Sequence, residues 1–304
     1  MDNPSDGVAP DRKRTKTPRK SVARVAPKPV ARSAAPADSL ATATATSSAP
    51  LIVGIGASAG GLNAFKGFFA AMPADSGMAF VLVQHLDPNH KSILAELIGR
   101  QTTMTVLDAQ HGAVVAANCV YIIPPDTTLT IVGGALQIEQ PAPPRQRRFP
   151  IDTFFSSLAE DQGDNAVCIV LAGTGSDGTI GLKMIKEHGG LAFAQSEADD
   201  MAMSGMPQSA AATGLVDRIM PVEDMPAQLI EYRQRLLDQA GPHGRQGGSQ
   251  DTADQLATIT ALLRVGSGHD FARYKASTLV RRIQRRMQVL RIDNAPLRLI
   301  LEDA

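Results

Sequence analysis

The chain has 304 residues, enough for about two domains. Its hydrophobic fraction of 43% can bury a core, and because only 4% of the residues are aromatic we expect that core to be aliphatic. The 30 basic residues balance the 30 acidic ones, which excludes a uniformly basic nucleic-acid-binding protein. Cys119 and Cys168 are too few for a disulfide framework, and we expect both to be reduced core residues.

Residues 1–49 differ from the rest of the chain in charge and pattern. They carry nine Lys/Arg and four Asp, a net charge of +5, and show no apolar periodicity. Such a segment cannot offset the entropy lost on ordering, so we expect a disordered basic tail, either solvated or in contact with an acidic surface. The tail lacks the apolar stretch of a signal peptide, and no apolar run approaches the ~18 residues that span a bilayer. We therefore expect a cytoplasmic protein without membrane insertion and without a nucleic-acid partner.

From residue 50 onward, short apolar runs alternate with stretches of helical periodicity. Runs that end in glycine or polar residues are typical of strands buried on both faces. The alternation predicts an α/β domain over 50–239, a doubly wound, mostly parallel sheet with helices on both faces. A linker over 240–258 and a small all-α segment over 259–304 should follow. The predicted strands are 51–56, 79–83, 104–107, 119–123, 129–132, 167–171, 191–194 and 215–219, and the predicted helices are 62–72, 92–98, 151–159, 182–188, 207–212 and 223–237.

Three of the predicted strands end in residues that could do chemistry. Ser58 follows the first strand, His85 the second, and Asp177 lies in the glycine-rich loop after the strand at 167–171. Ligands of open parallel sheets bind outside the carboxyl ends of the strands, so a hydroxyl, an imidazole and a carboxylate could meet at one edge.

The pattern Gly-x-Ser58-x-Gly matches the nucleophile elbow of serine hydrolases. His85 is the candidate base for the serine hydroxyl, with His90 and His111 as rivals, and Asp177 could orient the imidazole. Each residue also has a structural interpretation: Ser58 and Asp177 could each cap the helix that follows, and His85 could be a hydrogen-bonded residue at a strand end.

An overlapping pattern, Gly54-x-Gly56-x-x-Ala59, fits the loose fingerprint of dinucleotide-binding sites. That interpretation requires an acidic residue at the end of the second strand, where this chain has Gln84 and His85. The residues alone therefore leave three possibilities open: a serine-type hydrolase with an unusual triad order, a nucleotide-binding oxidoreductase, and a catalytically silent signalling or scaffold module.

Taken in order, the three strand ends resemble the catalytic domain of chemotaxis-type protein-glutamate methylesterases, the CheB family. The resemblance runs from about Leu51 to Leu237. The segments that carry it are Ile55-Gly56-Ala57-Ser58-Ala59-Gly60-Gly61, Val83-Gln84-His85, Gly173-Thr174-Gly175-Ser176-Asp177-Gly178, Tyr121-Ile122-Ile123-Pro124-Pro125, Arg148-Phe149-Pro150-Ile151-Asp152 and Gly205-Met206-Pro207.

This resemblance implies a hydrolase that removes methyl esters from glutamates on the cytoplasmic helices of methylated chemoreceptors, and that can also deamidate receptor glutamines. Ser58 would be the nucleophile, His85 the base and Asp177 the residue that orients His85, without a cofactor or a metal ion. The backbone N–H groups of Ala59 and Thr174 would stabilise the oxyanion.

The chain also departs from the family pattern. Many members carry Thr after the nucleophile and Met in the third motif, where this sequence has Ala59 and Thr174. Members usually carry a receiver domain, and since residues 1–49 are too few for one, we expect no phosphorylation control in cis.

A second resemblance covers about Ile259 to the end of the chain, where the pattern from Phe271 to Met287 is similar to the opening helices of chemotaxis receptor methyltransferases, the CheR family. This segment looks like the start of a longer fusion, and because no cofactor-binding α/β domain follows, we expect no methyl transfer. The basic residues of its last helix could contact an acidic receptor helix, form a solvated face, or bind nucleic acid. We expect the receptor contact to involve Arg281, Arg282, Arg285 and Arg286.

Overall fold

The computed structural model describes residues 49–84, 94–140, 149–196, 204–240, 248–268, 271 and 274–290. Nearly all of the predicted tail lies outside these ranges. The strands are β1 Leu51–Ala57, β2 Met78–Gln84, β3 Thr105–Asp108, β4 Cys119–Ile122, β5 Thr128–Val132, β6 Ala135–Glu139, β7 Val167–Val170, β8 Leu191–Gln195 and β9 Arg218–Met220. The helices are α1 Gly61–Ala71, α2 Leu94–Gly99, α3 Pro150–Gln162, α4 Thr179–Glu187, α5 Gly205–Ala211, α6 Met225–Ala240, α7 Gly248–Ser267 and α8 Ala276–Leu290.

Seven strands form one parallel sheet in the order β3-β4-β2-β1-β7-β8-β9. β1 and β7 are fully buried along their length, as their continuous apolar runs predict. β5 and β6 form a separate antiparallel pair. The predicted doubly wound, mostly parallel fold is thus confirmed.

Helices cover both faces of the sheet and divide the core into two layers. On one face, Phe65 of α1 and Leu229 of α6 pack against the sheet. On the other face, Phe154 of α3 and Leu182 of α4 pack against it. Since β1 is central, α1 and α3 lie on opposite sides of the strand that carries Ser58 at its end.

The core is mostly aliphatic, as predicted, and it also contains a group of packed phenylalanine rings. Few residues are aromatic, but most of the phenylalanines are concentrated inside. The rings of Phe68, Phe69 and Phe80 pack edge to face with centroids 5.1–5.7 Å apart. The six largest fully buried side chains are Phe65, Phe68, Phe69, Phe80, Phe154 and Phe155. Cys168 is buried as predicted, whereas Cys119 is only half-buried, and neither forms a disulfide.

Three elements differ from the prediction. The strand predicted at 215–219 lies further along the chain, at Arg218–Met220. Strand β6 was not expected, although its Leu136 and Ile138 alternate with Gln137 and Glu139. It forms by pairing with β5 across the Gly133-Gly134 turn, where both glycines have positive φ. Helix α7 begins at Gly248, inside the range 240–258 assigned to a linker, because the Gly- and Pro-rich composition ends there and helix-forming residues follow. In the described ranges, no helix is both long enough and apolar enough to cross a membrane.

Removing one ring from the edge-to-face cluster should be costly. Phe68→Ala should lower the free energy of unfolding by about 3–5 kcal/mol, because the site is fully buried between two other rings. Phe149→Ala is the matched control: that ring is 40% exposed, and its loss should cost about 0.5 kcal/mol or less. Urea unfolding of both variants checks this, and equal losses would contradict the packing described here.

Candidate active site

The order in which strands are added to the sheet reverses at its central strand, β1. From β1 the chain adds β2 and β4 on one side, and later returns to add β7, β8 and β9 on the other. Because the helices that follow β1 and β7 leave toward opposite faces, the carboxyl ends of these two strands form the topological switch point of the sheet, where open α/β sheets bind ligands. We call this position the crevice. Ser58 and the loop 173–178 both begin at this crevice.

Ser58 is held at the end of β1 by backbone hydrogen bonds. Its N–H donates to the carbonyl of Ala172 at 2.9 Å, which ties the end of β1 to the segment after β7. Its carbonyl accepts the N–H of Gly61 at 2.9 Å, and Gly60, with φ of 81°, turns the chain into α1. Gly60 is the N-cap residue of α1, so the alternative assignment of Ser58 as that cap is wrong. The arrangement is a sharp strand-to-helix turn with a half-buried serine.

Gly173 brings the third motif against the serine. A Cβ atom placed on Gly173 would lie 2.9 Å from Ser58 Cβ, 3.0 Å from Ser58 N and 2.3 Å from Met206 Sδ. Only glycine leaves room for so close an approach. The carbonyl of Gly173 also accepts the N–H of Met206 at 2.9 Å, which fixes the loop to the start of α5.

The carboxylate of Asp177 lies at the N-terminus of α3. It accepts the N–H groups of Ile151 at 3.0 Å, Asp152 at 2.9 Å and Gly178 at 2.9 Å. The N-cap residue of its own following helix, α4, is Gly178, so Asp177 does not fill the capping role considered for it there. It instead joins two helices that are distant in sequence, and it is 3% exposed.

Asp152 makes the reciprocal contact. Its Oδ1 accepts the N–H of Gly181 at 2.8 Å, in the first turn of α4. Asp177 is thus bound by the helix that carries Asp152, and Asp152 is bound by the helix that follows Asp177. Burial raises the pKa of the Asp152 carboxyl, the Gly181 hydrogen bond lowers this pKa, and the nearby charge of Asp177 raises it. The net direction is upward from the usual aspartate value.

Of the three candidate histidines, only His111 lies within the described residues. It is placed at the two-stranded sheet, where its Nδ1 accepts the N–H of Ile138 at 3.2 Å. His85 and His90 lie outside the described ranges. Gln84, the residue before His85, pairs in register with Ala57, the residue before Ser58, and its Nε2 donates to the Ser58 carbonyl at 3.4 Å.

The two candidate oxyanion donors are the residues directly after Ser58 and Gly173, which approach each other closely. Ala59 comes directly after Ser58 and Thr174 directly after Gly173, and both are exposed. That their N–H groups bind an oxyanion remains a prediction.

The glycines of the dinucleotide-type pattern have a packing role. A Cβ atom at Gly56 would lie 2.4 Å from Ile151 Cγ2, and one at Gly54 would lie 3.0 Å from a ring carbon of Phe154. Helix α3 therefore occupies the space next to both glycines. A dinucleotide site would need that space for a pyrophosphate, so the oxidoreductase alternative loses its main support.

Two of the four arginines expected to contact a receptor lie against the α/β domain. Arg282 donates to the backbone carbonyl of Glu187 at 3.0 Å, and Arg286 lies 3.7 Å from the carboxylate of Asp217. The side chains of Arg281 and Arg285 lie outside the described part of the structure. The receptor contact stays a prediction.

Comparison with known proteins gives two family matches. The family model "CheB methylesterase" matches residues 53–229, and the model "CheR methyltransferase, all-alpha domain" matches residues 254–296. The crystal structure of the CheB methylesterase catalytic domain of Thermotoga maritima is similar, with a TM-score of 0.55 and 28% identity over 60% of this chain and 99% of that one.

Curated relatives are similar over the same region. A protein-glutamate methylesterase/protein-glutamine glutaminase of Cupriavidus metallidurans is 37% identical over 63% of this chain and 56% of its own length. An uncharacterized 104.1 kDa protein of Rhodobacter capsulatus is 36% identical over 66% of this chain and 23% of its own length. The chain thus spans about half the length of the first of these relatives and a quarter of the second.

Sequence reasoning missed the roles of Asp152 and Gln195. In the sequence, Asp152 stands out only as the last residue of the segment Arg148-Phe149-Pro150-Ile151-Asp152. Gln195, buried at the end of β8, accepts the N–H of Ala172 with its side-chain oxygen at 2.9 Å and so supports the segment that holds Ser58. A polar residue at the end of a buried strand is the signal that could have identified Gln195.

Stability should depend on pH through Asp152. The pKa of the Asp152 carboxyl is raised in the folded state above its unfolded value near 3.8, so the folded protein binds the carboxyl proton more tightly than the unfolded chain does. Stability is therefore lost as the pH rises from the unfolded-state pKa through the higher folded-state pKa. Asp152→Asn keeps an oxygen that can accept the Gly181 N–H but removes the charge. We expect the variant to gain stability relative to wild type as the pH rises from about 4 to about 7.

Urea unfolding at several pH values measures this difference. Asp75→Asn, which replaces an exposed carboxyl in the loop before β2, is the control. A difference between wild type and Asp152→Asn that is constant over this range, or that favours wild type at high pH, would rule out the effect.

Proposed function

The chain belongs to the CheB methylesterase family, and we propose that it hydrolyses methyl esters of glutamate on the cytoplasmic helices of chemoreceptors. In this proposal Ser58 is the nucleophile, His85 is the base, and Asp177 is the carboxylate that orients His85. The observation that carries this proposal is the contact between Gly173 and Ser58, which brings the third motif against the candidate nucleophile. The relatives' names and the match over 53–229 support the same reaction.

The reaction divides into acylation and deacylation. In acylation, Ser58 Oγ attacks the ester carbonyl while His85 takes the hydroxyl proton, and backbone N–H groups of Ala59 and Thr174 stabilise the negative oxygen. Collapse of the tetrahedral intermediate breaks the bond to the methoxy group, which receives the proton from His85 and leaves as methanol. In deacylation, His85 takes a proton from water, whose oxygen attacks the acyl carbonyl. The bond to Ser58 Oγ then breaks, His85 returns the proton to this oxygen, and the glutamate side chain is released.

Asp177 fits an orienting role because its carboxylate is fixed by three N–H donors. Such a carboxylate is held in position to orient the imidazole without moving. Asn at this position would turn an NH2 group toward backbone donors, so Asp177→Asn combines a structural and a catalytic loss.

Amide hydrolysis is the second candidate activity. The curated relatives are named both protein-glutamate methylesterase and protein-glutamine glutaminase. The same nucleophile can attack a carboxamide, with His85 donating its proton to the leaving amino group, which departs as ammonia. Ammonia release from unmethylated receptor, compared with methanol release from methylated receptor, separates the two.

Replacing the nucleophile should abolish turnover without unfolding the chain. Ser58→Ala should reduce methanol release from methylated receptor membranes by about 10⁶-fold, with a stability change below about 1 kcal/mol. Ser196→Ala is the matched control, since Ser196 follows β8 at the same edge of the sheet, and it should retain wild-type activity. Turnover by Ser58→Ala near the wild-type rate would remove the nucleophile assignment.

The predicted receptor contact can be tested by charge reversal. Arg281→Glu combined with Arg285→Glu should weaken binding to receptor tails, because the basic helix attracts acidic helices over a long range that salt screens. Hydrolysis of a small ester should be unchanged, and calorimetry with S-adenosylmethionine should show no heat of binding. Receptor binding that is indifferent to both salt and the reversal would contradict this contact.

A further inference from the structure

Helix α8 contacts the α/β domain at the edge of the sheet opposite to Ser58. α4 runs back from the crevice and ends at Glu187, and Asp217 directly precedes β9. Both residues therefore lie at the amino ends of the strands, whereas Ser58 and the loop 173–178 lie at the carboxyl ends. We call the surface formed by Glu187 and Asp217 the amino-edge surface.

The first contact is a charged cap on α4. The guanidinium of Arg282 donates to the carbonyl of Glu187, the last residue of that helix, at 3.0 Å. The carbonyls of the last turn of a helix have no partner within the helix and carry partial negative charge, so they attract a cation. Arg282 thus donates to a carbonyl at the C-terminal end of α4.

The second contact is an ion pair with a fixed carboxylate. The Asp217 side chain is 4% exposed and is bound by Lys186 Nζ at 2.6 Å and by the N–H of Ala192 at 2.9 Å. Arg286 lies 3.7 Å from Oδ1 of this carboxylate, an oxygen that also accepts from Lys186 Nζ at 2.7 Å. Because the carboxylate is already held in place, the pair costs less side-chain entropy than one between two mobile surface residues.

Helix α8 needs tertiary contacts to be stable. It has 15 residues, and like-charged arginines four positions apart destabilise it. A helix of this length is marginal in water by itself. Leu279, Val280 and Ile283 are each only 8% exposed, and α8 contacts both α7 and α6, so its apolar side is covered by the described part of the chain.

From these contacts we propose that the amino-edge surface is a docking site for the CheR-type helical segment of this same chain, with Arg282 and Arg286 as its anchors. Docking at this edge holds the segment away from the crevice and leaves Ser58 accessible. It also commits two of the four arginines of α8 to the α/β domain, so that a receptor helix would meet the other two.

Hydrogen exchange of the full chain tests this docking with opposite expectations for the two possibilities. The double substitution Arg282→Ala and Arg286→Ala raises helix propensity and removes like-charge repulsion, so an undocked α8 would become more helical and exchange more slowly. If α8 is held by the amino-edge surface, its backbone amides should instead exchange faster, on the order of tenfold. The amides of α7, which pack on α8, should follow in the same direction.

The matched control is Arg264→Ala combined with Lys275→Ala, which removes two exposed basic residues from the same segment. The control should leave exchange in α8 close to wild type, and both double variants should hydrolyse a small ester at the wild-type rate. Unchanged or slower exchange in the Arg282/Arg286 variant, or equally fast exchange in the control, would overturn the proposal. Because the readout is exchange in α8, the result does not depend on whether the methylesterase assignment holds.

Discussion

The crossed contacts of two buried aspartates hold the candidate site together. Asp177 accepts N–H groups at the start of α3, and Asp152, within that helix, accepts an N–H group at the start of α4. Burying two carboxylates side by side is costly, but N–H donors and the positive ends of two helices offset that cost. As a result, the loop that carries Asp177 is fixed to the helix that covers β1, the strand that positions Ser58.

Ile151 completes this connection through packing. Its Cγ2 atom fills the space that a Cβ atom would take at Gly56, at 2.4 Å, and at Gly178, at 2.9 Å. Glycines from the first and the third motif thus receive the same side chain. This is why the glycine pattern after β1 could be taken for a dinucleotide fingerprint: the sequence shows where a backbone allows close approach, but not whether a ligand or a side chain approaches it.

Local patterns predicted the parallel sheet and most of its strands and helices along the chain, because buried strands and amphipathic helices leave a strong periodic signal. Contacts between distant segments could not be predicted in this way. The partner of Asp177 at the start of α3 lies 25 residues or more away in the chain, and no periodicity encodes it. The clustering of phenylalanine rings within the aliphatic core could not be predicted for a related reason, since the overall aromatic content does not reveal that Phe68 and Phe80 meet across two elements.

The central claim is that three strand ends form one serine-type site at the crevice between β1 and β7. Labelling by a fluorophosphonate, followed by peptide mass spectrometry, tests this claim most directly because it requires an activated serine and does not depend on the receptor. The account predicts a single adduct on Ser58, formed about 10²–10⁴-fold more slowly in His85→Ala. An adduct on another serine, or an unchanged labelling rate in His85→Ala, would contradict it.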